Sequence, residues 1–346
     1  MSHFPPIVFA IAFAALVVAL TALARRLPIP TPILQVLAGA AIGLLPGMHL
    51  PELEPDLVFF VFLPPILWAA AFFTSLREFR ANIRPIGLLA VGLVLATTAA
   101  VAMAAHALLP GLPWAVAVAI GAIVSPPDAV AAAAIVSRLP VPRRVVAILE
   151  GESLVNDASA LVLYRTAVAA SVTGVFSLGE SVVRFFIDAG IGIGIGLLVG
   201  WLIIKAACWT KDALAETLLT VAGPYVAWVS AETLHVSAVL ACVAGGLYVR
   251  QYFSTAVSPV SRVQAHAVWD LLVFLFNALI FLLLGFQFGG LVDAVPSGSL
   301  GRVVGIGAVL TAGYAMTSGG EAISLLRILL LAGIVLCVIG LKLAPH

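Results

Sequence analysis

The sequence predicts an all-helical, polytopic membrane protein with about twelve transmembrane helices. The chain has 346 residues, of which 63% are hydrophobic and only 10% are charged, and its mean hydropathy is +1.20. A soluble domain contains roughly 45–50% apolar and about 25% charged residues. The composition therefore excludes a soluble enzyme, a disordered chain and a disulfide scaffold. The net charge of +1 gives no reason to expect a nucleic-acid partner.

Each predicted helix is an apolar run bounded by polar residues, glycine or proline, and a membrane span needs roughly 20 such residues. The first run has no basic region before it and no cleavage site after it, so we expect it to stay as a membrane helix. No soluble domain separates the runs, and we expect one transmembrane domain over residues 1–346. The predicted segments are residues 5–23, 31–47, 56–73, 85–108, 114–137, 145–172, 182–207, 213–231, 236–248, 268–288, 303–316 and 325–341.

The loops between these segments alternate in charge. Odd-numbered loops are basic, as with Arg25 and Arg26 in the first, whereas even-numbered loops are acidic or balanced. Cytoplasmic loops carry an excess of Lys and Arg. The alternation therefore predicts that the N-terminus lies on the non-cytoplasmic side. We expect a multi-pass protein of a bacterial cytoplasmic membrane, surrounded by lipid.

Glycine and proline mark two further features of the helices. Gly192, Gly196 and Gly200 form a ridge of small residues, which predicts close packing against a neighbouring helix. Pro64 and Pro65 predict a break in the third segment, because proline removes a backbone donor and clashes with the preceding turn.

A second proline pair lies in the middle of the fifth segment, as Ser125-Pro126-Pro127-Asp128. The two prolines predict that the helix is broken here, and irregular backbone at this depth is tolerated only around protein or a water-filled cavity. Freed carbonyls and half-helix ends at such a break bind ions. Alternatively, the prolines form a simple kink and Asp128 caps the second half-helix.

The sixth segment opens with the polar stretch at residues 150–157. Ser153 and Asp157 are four residues apart and share a helical face, and Asn156 can hold the Asp157 carboxylate or line the same cavity. Glu150 and Glu152 are either part of this polar site or a solvated first turn favoured by the helix dipole. A charge as deep in the membrane as Asp157 is a functional candidate.

Helical rise places both aspartates near the membrane midplane. Asp128 is roughly 15 Å from Arg138, and Asp157 is roughly 20 Å from Arg144, in a hydrocarbon core about 30 Å thick. A midplane carboxylate can bind a small cation or a proton. Competition between the two is sufficient for exchange at one site.

Other polar residues offer weaker candidates. Arg165 either forms an internal ion pair or extends outward, and the spacing of the histidines does not match a zinc motif. We therefore expect no cofactor and no structural metal, and a cation at Asp157 would be a transported ion.

The residues quoted above resemble those of the NhaP-like sodium/proton exchangers, in the monovalent cation/proton antiporter superfamily. The match includes Ser-Pro-Pro-Asp-Ala-Val-Ala at 125–131 and Glu-Gly-Glu-Ser-Leu-Val-Asn-Asp-Ala at 150–158, the second being specific. It extends to residues 63–67 and 277–285. The resemblance implies an inverted-repeat antiporter fold and a homodimer, with core-type helices at about 85–175 and 268–346 and dimerisation helices at about 5–73 and 182–250.

The resemblance also implies roles for single residues. Asp157 would be the essential carboxylate that binds the transported Na⁺ and the proton, and Asn156 would support the site. Ser153 and Ser125 would supply ion ligands or nearby hydrogen bonds. Glu152 would form a structural ion pair with an arginine of a second broken helix. An Asn-Asp pair goes with electroneutral exchange in this superfamily.

The chain departs from the family pattern in two places. Relatives often carry Thr-Asp-Pro where this chain has Ser125-Pro126-Pro127. Asp128 is therefore displaced in sequence from the position of the family's aspartate, and its role as a direct ion ligand does not follow from the resemblance. We find no Gly-x-x-Arg-Gly segment near the C-terminus, which suggests a C-terminally shortened or altered relative. The leading hypothesis is thus a secondary antiporter rather than an enzyme. The alternatives are a non-transporting relative that only packs or dimerises and, remotely, an intramembrane serine hydrolase using Ser153.

Overall fold

The computed structural model describes residues 6–27, 31–45, 55–109, 111–126, 141–173 and 178–293. These parts of the chain are mainly helical and contain no strand. The elements in chain order are α1 (Pro6–Ala24), α2 (Thr31–Gly43), α3 (Pro55–Phe73), α4 (Leu76–Ala81), α5 (Ile83–Gly87), a π-helical segment (Leu88–Leu93), α6 (Val94–Leu108), α7 (Trp114–Val124), α8 (Arg143–Thr173), α9 (Leu178–Thr210), α10 (Ala213–Thr233), α11 (Ala238–Ala256) and α12 (Pro259–Asp293).

The first ten predicted segments each overlap a helix of the described chain, the fifth over residues 114–124 only. Three stretches there are long and apolar enough to cross a membrane, namely Ile83–Leu108, Phe186–Thr210 and Pro259–Gln287, and shorter apolar helices accompany them. The all-helical prediction is confirmed. The total of twelve spans stays a prediction, because the segments at 303–316 and 325–341 lie outside the described residues.

The predicted break at Pro64 and Pro65 is wrong, since α3 continues through both residues. Pro65 cannot donate to the carbonyl of Val61, four residues earlier. The hydroxyl of Tyr225 on α10 donates to that carbonyl instead, at 3.1 Å. A partner from another helix therefore replaces the lost backbone hydrogen bond, which is how membrane helices tolerate proline.

The chain divides into two compact units, with the boundary on α12 between Val273 and Phe274. In the unit that contains α1, α2 and the later part of α12, Val17 and Leu20 pack with Leu282. A Cβ at Gly39 would overlap the backbone carbonyl of Leu282. Glycine thus allows α2 and α12 to approach closely at this position.

The other unit contains α3 to α11 and the first part of α12. Its core includes Trp68 of α3, whose side chain is completely buried. The indole ring lies where side chains at Gly223 of α10 and Gly245 of α11 would otherwise be. Two helices therefore use glycine to make room for one large aromatic side chain.

The glycine ridge on α9 packs against α11, as predicted. A Cβ at Gly192 would overlap the carbonyl of Ser237, and one at Gly196 would overlap the carbonyl of Ala241. Gly194, between them in sequence, has nothing within 4 Å of its added Cβ. Only the ridge glycines are therefore needed for the close approach of the two helices.

Candidate functional site

Asp157 lies at the centre of α8, fourteen residues after Arg143 and sixteen before Thr173. At the helical rise of 1.5 Å per residue, the carboxylate is about 20 Å from the basic start of the helix. Its side chain is exposed, whereas that of the adjacent Asn156 is completely buried. The two residues thus point to different surroundings, and only the aspartate is accessible.

Asn156 has no hydrogen-bond partner for either amide atom within the described part of the chain. Buried polar groups are nearly always paired, and an unsatisfied donor or acceptor costs about 1–3 kcal/mol. Among the described residues, nothing offsets the cost of burying these two amide groups. Such a cost is typical of a residue kept for a site rather than for packing.

Ser153 precedes Asp157 by one turn and is half-buried. Its hydroxyl donates to the carbonyl of Leu149 at 3.0 Å. Because the proton is committed to that carbonyl, the oxygen has only lone pairs left to offer. It can accept a hydrogen bond or contribute to binding a cation.

The predicted break near residues 125–128 agrees with the structure at its start, because α7 ends at Val124 and Ser125 caps it. Pro126 cannot donate to the carbonyl of Ala122. The completely buried hydroxyl of Ser125 donates to that carbonyl at 3.1 Å. Ser125 therefore has a structural role at the break, and its oxygen keeps its lone pairs. Pro127 and Asp128 lie outside the described residues, so their predicted roles stay predictions.

Two contacts define the position of α8 relative to α5 along the helix axes. The guanidinium Nε of Arg144 donates to Oδ1 of Asn82 at 3.0 Å, and a side chain at Gly151 would overlap Ile86. Gly151 follows Arg144 on α8, and its contact Ile86 likewise follows Asn82, the contact of Arg144. α5 and α8 therefore run parallel.

The π-helical segment Leu88–Leu93 lies at the height of the candidate site. Asp157 is six residues beyond Gly151, which is level with about residue 92 on the parallel helix. Ala90, within the segment, is completely buried. π-Helical turns are rare and occur frequently at functional sites.

α7 brings Ser125 to the same height. A Cβ at Gly121 would overlap the carbonyl of Thr98 on α6, and the short connection makes α6 and α7 antiparallel. Ser125 is four residues further on, level with Val94, which directly follows the π-helical segment. Along the helix axes, Ser125 and Asp157 are therefore within about one turn, roughly 5 Å, of each other.

Thr97 and Thr98 are buried polar residues that the sequence analysis did not select. They are 0% and 4% exposed, and neither hydroxyl has a hydrogen-bond partner in the described regions. The adjacent pair interrupts an otherwise apolar run, which is the signal that could have identified them. The sequence Leu-Leu-Ala-Val-Gly-Leu at 88–93 contains no signal that predicts the π-helical segment.

Glu152 is buried at 3% exposure. The arginine predicted to pair with it would belong to a segment outside the described residues, so that ion pair stays a prediction. Arg165 extends outward, where its Nη2 lies 3.6 Å from Oε1 of Glu232 and both side chains are about half exposed.

A family model described as "Sodium/hydrogen exchanger, transmembrane" matches residues 11–318. The chain belongs to the sodium/hydrogen exchanger family. The NhaP-like resemblance is thereby confirmed, and so is the prediction of a multi-pass membrane transporter family rather than an enzyme family.

Relatives from several bacteria carry the same kind of name. The chain is 36% identical to an uncharacterized Na⁺/H⁺ exchanger of Mycobacterium tuberculosis, over 84% of this chain and 53% of that protein. It is 35% identical to the sodium, potassium, lithium and rubidium/H⁺ antiporter of Bacillus subtilis, over 77% of this chain and 41% of that protein. The chain thus spans about half the length of the curated relatives it matches.

The fold resembles the solved structure of the sodium proton antiporter MjNhaP1 from Methanocaldococcus jannaschii. The TM-score is 0.66 at 21% identity, covering 98% of this chain and 87% of that one. At this identity the likeness concerns the fold alone, and it agrees with the predicted antiporter fold.

Proposed function

We propose that this exchanger-family chain is a secondary antiporter, exchanging protons for Na⁺ or another monovalent cation across the bacterial cytoplasmic membrane. The observation that carries the proposal is the accessible carboxylate of Asp157 at the centre of α8, at the height of the helix break near Ser125. A charge is costly at that depth and is kept there for function.

The carboxylate of Asp157 binds the cation or the proton, and each excludes the other. Ser153 and Ser125 add hydroxyl oxygens whose protons already go to backbone carbonyls. Asn156 supplies amide groups without other partners in the described chain. Oxygen ligands of this kind suit a small, hard cation. In the same proposal Asp128 lines the break, and Glu152 holds the site through an ion pair.

Several finer points belong to the same proposal. The exchange is electroneutral, because one monovalent cation replaces one proton on a single carboxylate. The protein forms a homodimer, with the core-type and dimerisation helices assigned from the family resemblance. The basic loops face the cytoplasm, which leaves the N-terminus on the opposite side.

Proteoliposomes that contain a pH-sensitive dye test the proposal. The vesicle interior is first made more acidic than the medium. External NaCl should then collapse this pH gradient in vesicles with the wild type and leave the gradient intact in vesicles with Asp157→Asn. Asp212→Asn, an exposed carboxylate at the start of α10, is the matched control and should behave as the wild type. A rate unaffected by clamping the potential with K⁺ and valinomycin would support electroneutrality. Equal Na⁺ responses in the wild type and Asp157→Asn would reject the proposal.

A further inference from the structure

Lys205 and Trp201 form a cation–π pair on α9 that the proposed exchange at Asp157 does not use. The ammonium Nζ of Lys205 lies 4.8 Å from the centre of the Trp201 ring, and both side chains are exposed. Lysines near the end of a membrane helix extend toward the water, but this one bends back by one turn, away from the end of α9. A cation is costly against lipid, and a negative group beside it would offset that cost.

The pair lies near the end of α9, where the helix approaches the lipid headgroups. The apolar stretch Phe186–Thr210 has 25 residues and is therefore about 37 Å long, whereas the hydrocarbon core is about 30 Å thick. Trp209, one turn beyond Lys205, is 87% exposed, and tryptophan is enriched at the boundary between hydrocarbon and headgroups. The ammonium of Lys205 is thus within reach of lipid phosphates.

Two exposed glycines continue the same face of α9 toward the membrane interior. At 100° per residue, Gly190, Gly194 and Trp201 lie within about 40° of one another around the helix. A Cβ added at Gly190 or Gly194 meets nothing within 4 Å in the described chain. The neighbouring Leu197 and Leu198 are 43% and 56% exposed. This face is therefore an apolar surface with a shallow depression, which suits an acyl chain.

The same face points away from the two helices that follow α9. Gly192 and Gly196 contact α11 and lie about 140–180° around the helix from Trp201. Ile203, which a Cβ at Gly223 of α10 would overlap, lies about 160° from Trp201. Neither α10 nor α11 therefore covers the cation–π pair.

We propose that Lys205 and Trp201 bind the headgroup of an anionic phospholipid, whose acyl chain lies along Gly194 and Gly190. The ammonium pairs with the phosphate, as basic residues near a membrane surface pair with anionic lipids. One ammonium matches a headgroup with a single net negative charge, such as phosphatidylglycerol. A zwitterionic headgroup carries its own ammonium, which competes with Lys205 for the phosphate. The bound lipid is a ligand of α9 and takes no part in the exchange at Asp157.

Quenching of tryptophan fluorescence by brominated lipid tests this site. The purified protein is placed in vesicles of equal phosphatidylglycerol and phosphatidylcholine content, with bromine on the acyl chains of one lipid or the other. The wild type should lose more emission with brominated phosphatidylglycerol, and Trp201→Phe identifies the share that belongs to Trp201. The preference at this position should be about fivefold, the strength typical of one lysine near an anionic surface.

Three lysine variants locate the preference. Lys205→Gln should quench equally with both brominated lipids, whereas Lys205→Arg keeps the charge and should keep the preference. Lys211→Gln is the matched control, because it removes an exposed lysine directly beyond the end of α9, and it should behave as the wild type. Equal quenching by both lipids in the wild type would overturn the site. Equal losses in Lys205→Gln and Lys211→Gln would also overturn it, assigning the preference to general surface charge.

Thermal unfolding in detergent gives a second measurement. Phosphatidylglycerol at about five times its Kd should raise the Tm by on the order of 1–3 °C relative to the same concentration of phosphatidylcholine. Lys205→Gln should abolish this rise and Lys211→Gln should preserve it. A loss of dimer in Lys205→Gln, with no lipid preference in the wild type, would overturn the site and assign this face to a second copy of the chain. None of these outcomes bears on exchange at Asp157.

Discussion

The hydroxyl of Tyr225 donates to the carbonyl oxygen of Val61 at 3.1 Å, and Val61 is four residues before Pro65. Ser125 stands in the same relation to Ala122, whose carbonyl lies four residues before Pro126. Both carbonyls lose their backbone donor to proline and gain a side-chain hydroxyl. The difference is that α3 continues through its prolines, whereas α7 ends before Pro126.

Tyr225→Phe should lower the free energy of unfolding by about 1–2 kcal/mol, because it leaves the Val61 carbonyl without its donor. The measurement is thermal or chemical unfolding of the purified protein in detergent. Tyr252→Phe, at an exposed tyrosine, is the control and should change stability by less than about 0.5 kcal/mol. Equal effects of the two substitutions would show that the Val61 hydrogen bond contributes nothing.

Gly196→Ala should destabilise the protein by about 1–3 kcal/mol, because the new methyl group would overlap the carbonyl of Ala241. Gly194→Ala, two residues away on the same helix, meets open space and should be neutral or slightly stabilising. The Tm of each variant in detergent checks the pair. A stable Gly196→Ala protein would mean that α9 and α11 are not packed at this ridge.

Thr98→Val should raise the free energy of unfolding by about 1 kcal/mol, because it removes a buried hydroxyl without a partner in the described chain and keeps the shape of the side chain. Thr74→Val should have the opposite effect, since the buried hydroxyl of Thr74 donates to the carbonyl of Ala70 at 2.7 Å. Denaturant unfolding of both variants compares the signs. A loss of stability in Thr98→Val would reveal a partner for that hydroxyl.

Arg165 and Glu232 should contribute little to stability. Their side chains are 56% and 49% exposed, and the ion pair measures 3.6 Å. A double-mutant cycle with Arg165→Ala and Glu232→Ala should give a coupling energy below about 1 kcal/mol, and 0.5 M NaCl should reduce it further. A coupling of 2 kcal/mol or more would indicate that the pair is shielded from water in the membrane.

The apolar runs predicted the positions of the membrane helices well, because a lipid-facing helix is apolar along its whole length. Their ends were less accurate. α12 begins at Pro259, although the predicted segment begins at residue 268. The polar residues before 268 look like a loop, yet Ser258 accepts a hydrogen bond from the backbone N–H of Ser261 at 3.1 Å. This Ser-Pro start is a capping signal that the sequence already contained.

The candidate site was predictable only where its chemistry is local. The depth of Asp157 follows from counting residues along one helix, and the break after Val124 follows from two adjacent prolines. The hydroxyl that replaces the lost donor at Pro65 belongs to Tyr225, 164 residues from Val61 in sequence. The absence of hydrogen-bond partners for Asn156 and Thr98 in the described chain likewise depends on which helices surround them, and no local pattern specifies that.

The π-helical segment has a consequence for insertions and deletions. A π turn holds about one residue more than an α turn, and this segment lies between the buried residues Ile86 and Val94. Because the segment already contains that extra residue, deleting one residue from Leu88–Leu93 would convert it to α-helix and leave Thr97 and Thr98 on the face that they now occupy. Deleting one residue between Val94 and Thr97 would instead rotate the rest of the helix by about 100° and carry both threonines out of the interior. The π-helical segment would therefore tolerate a deletion that the adjacent α-helix would not.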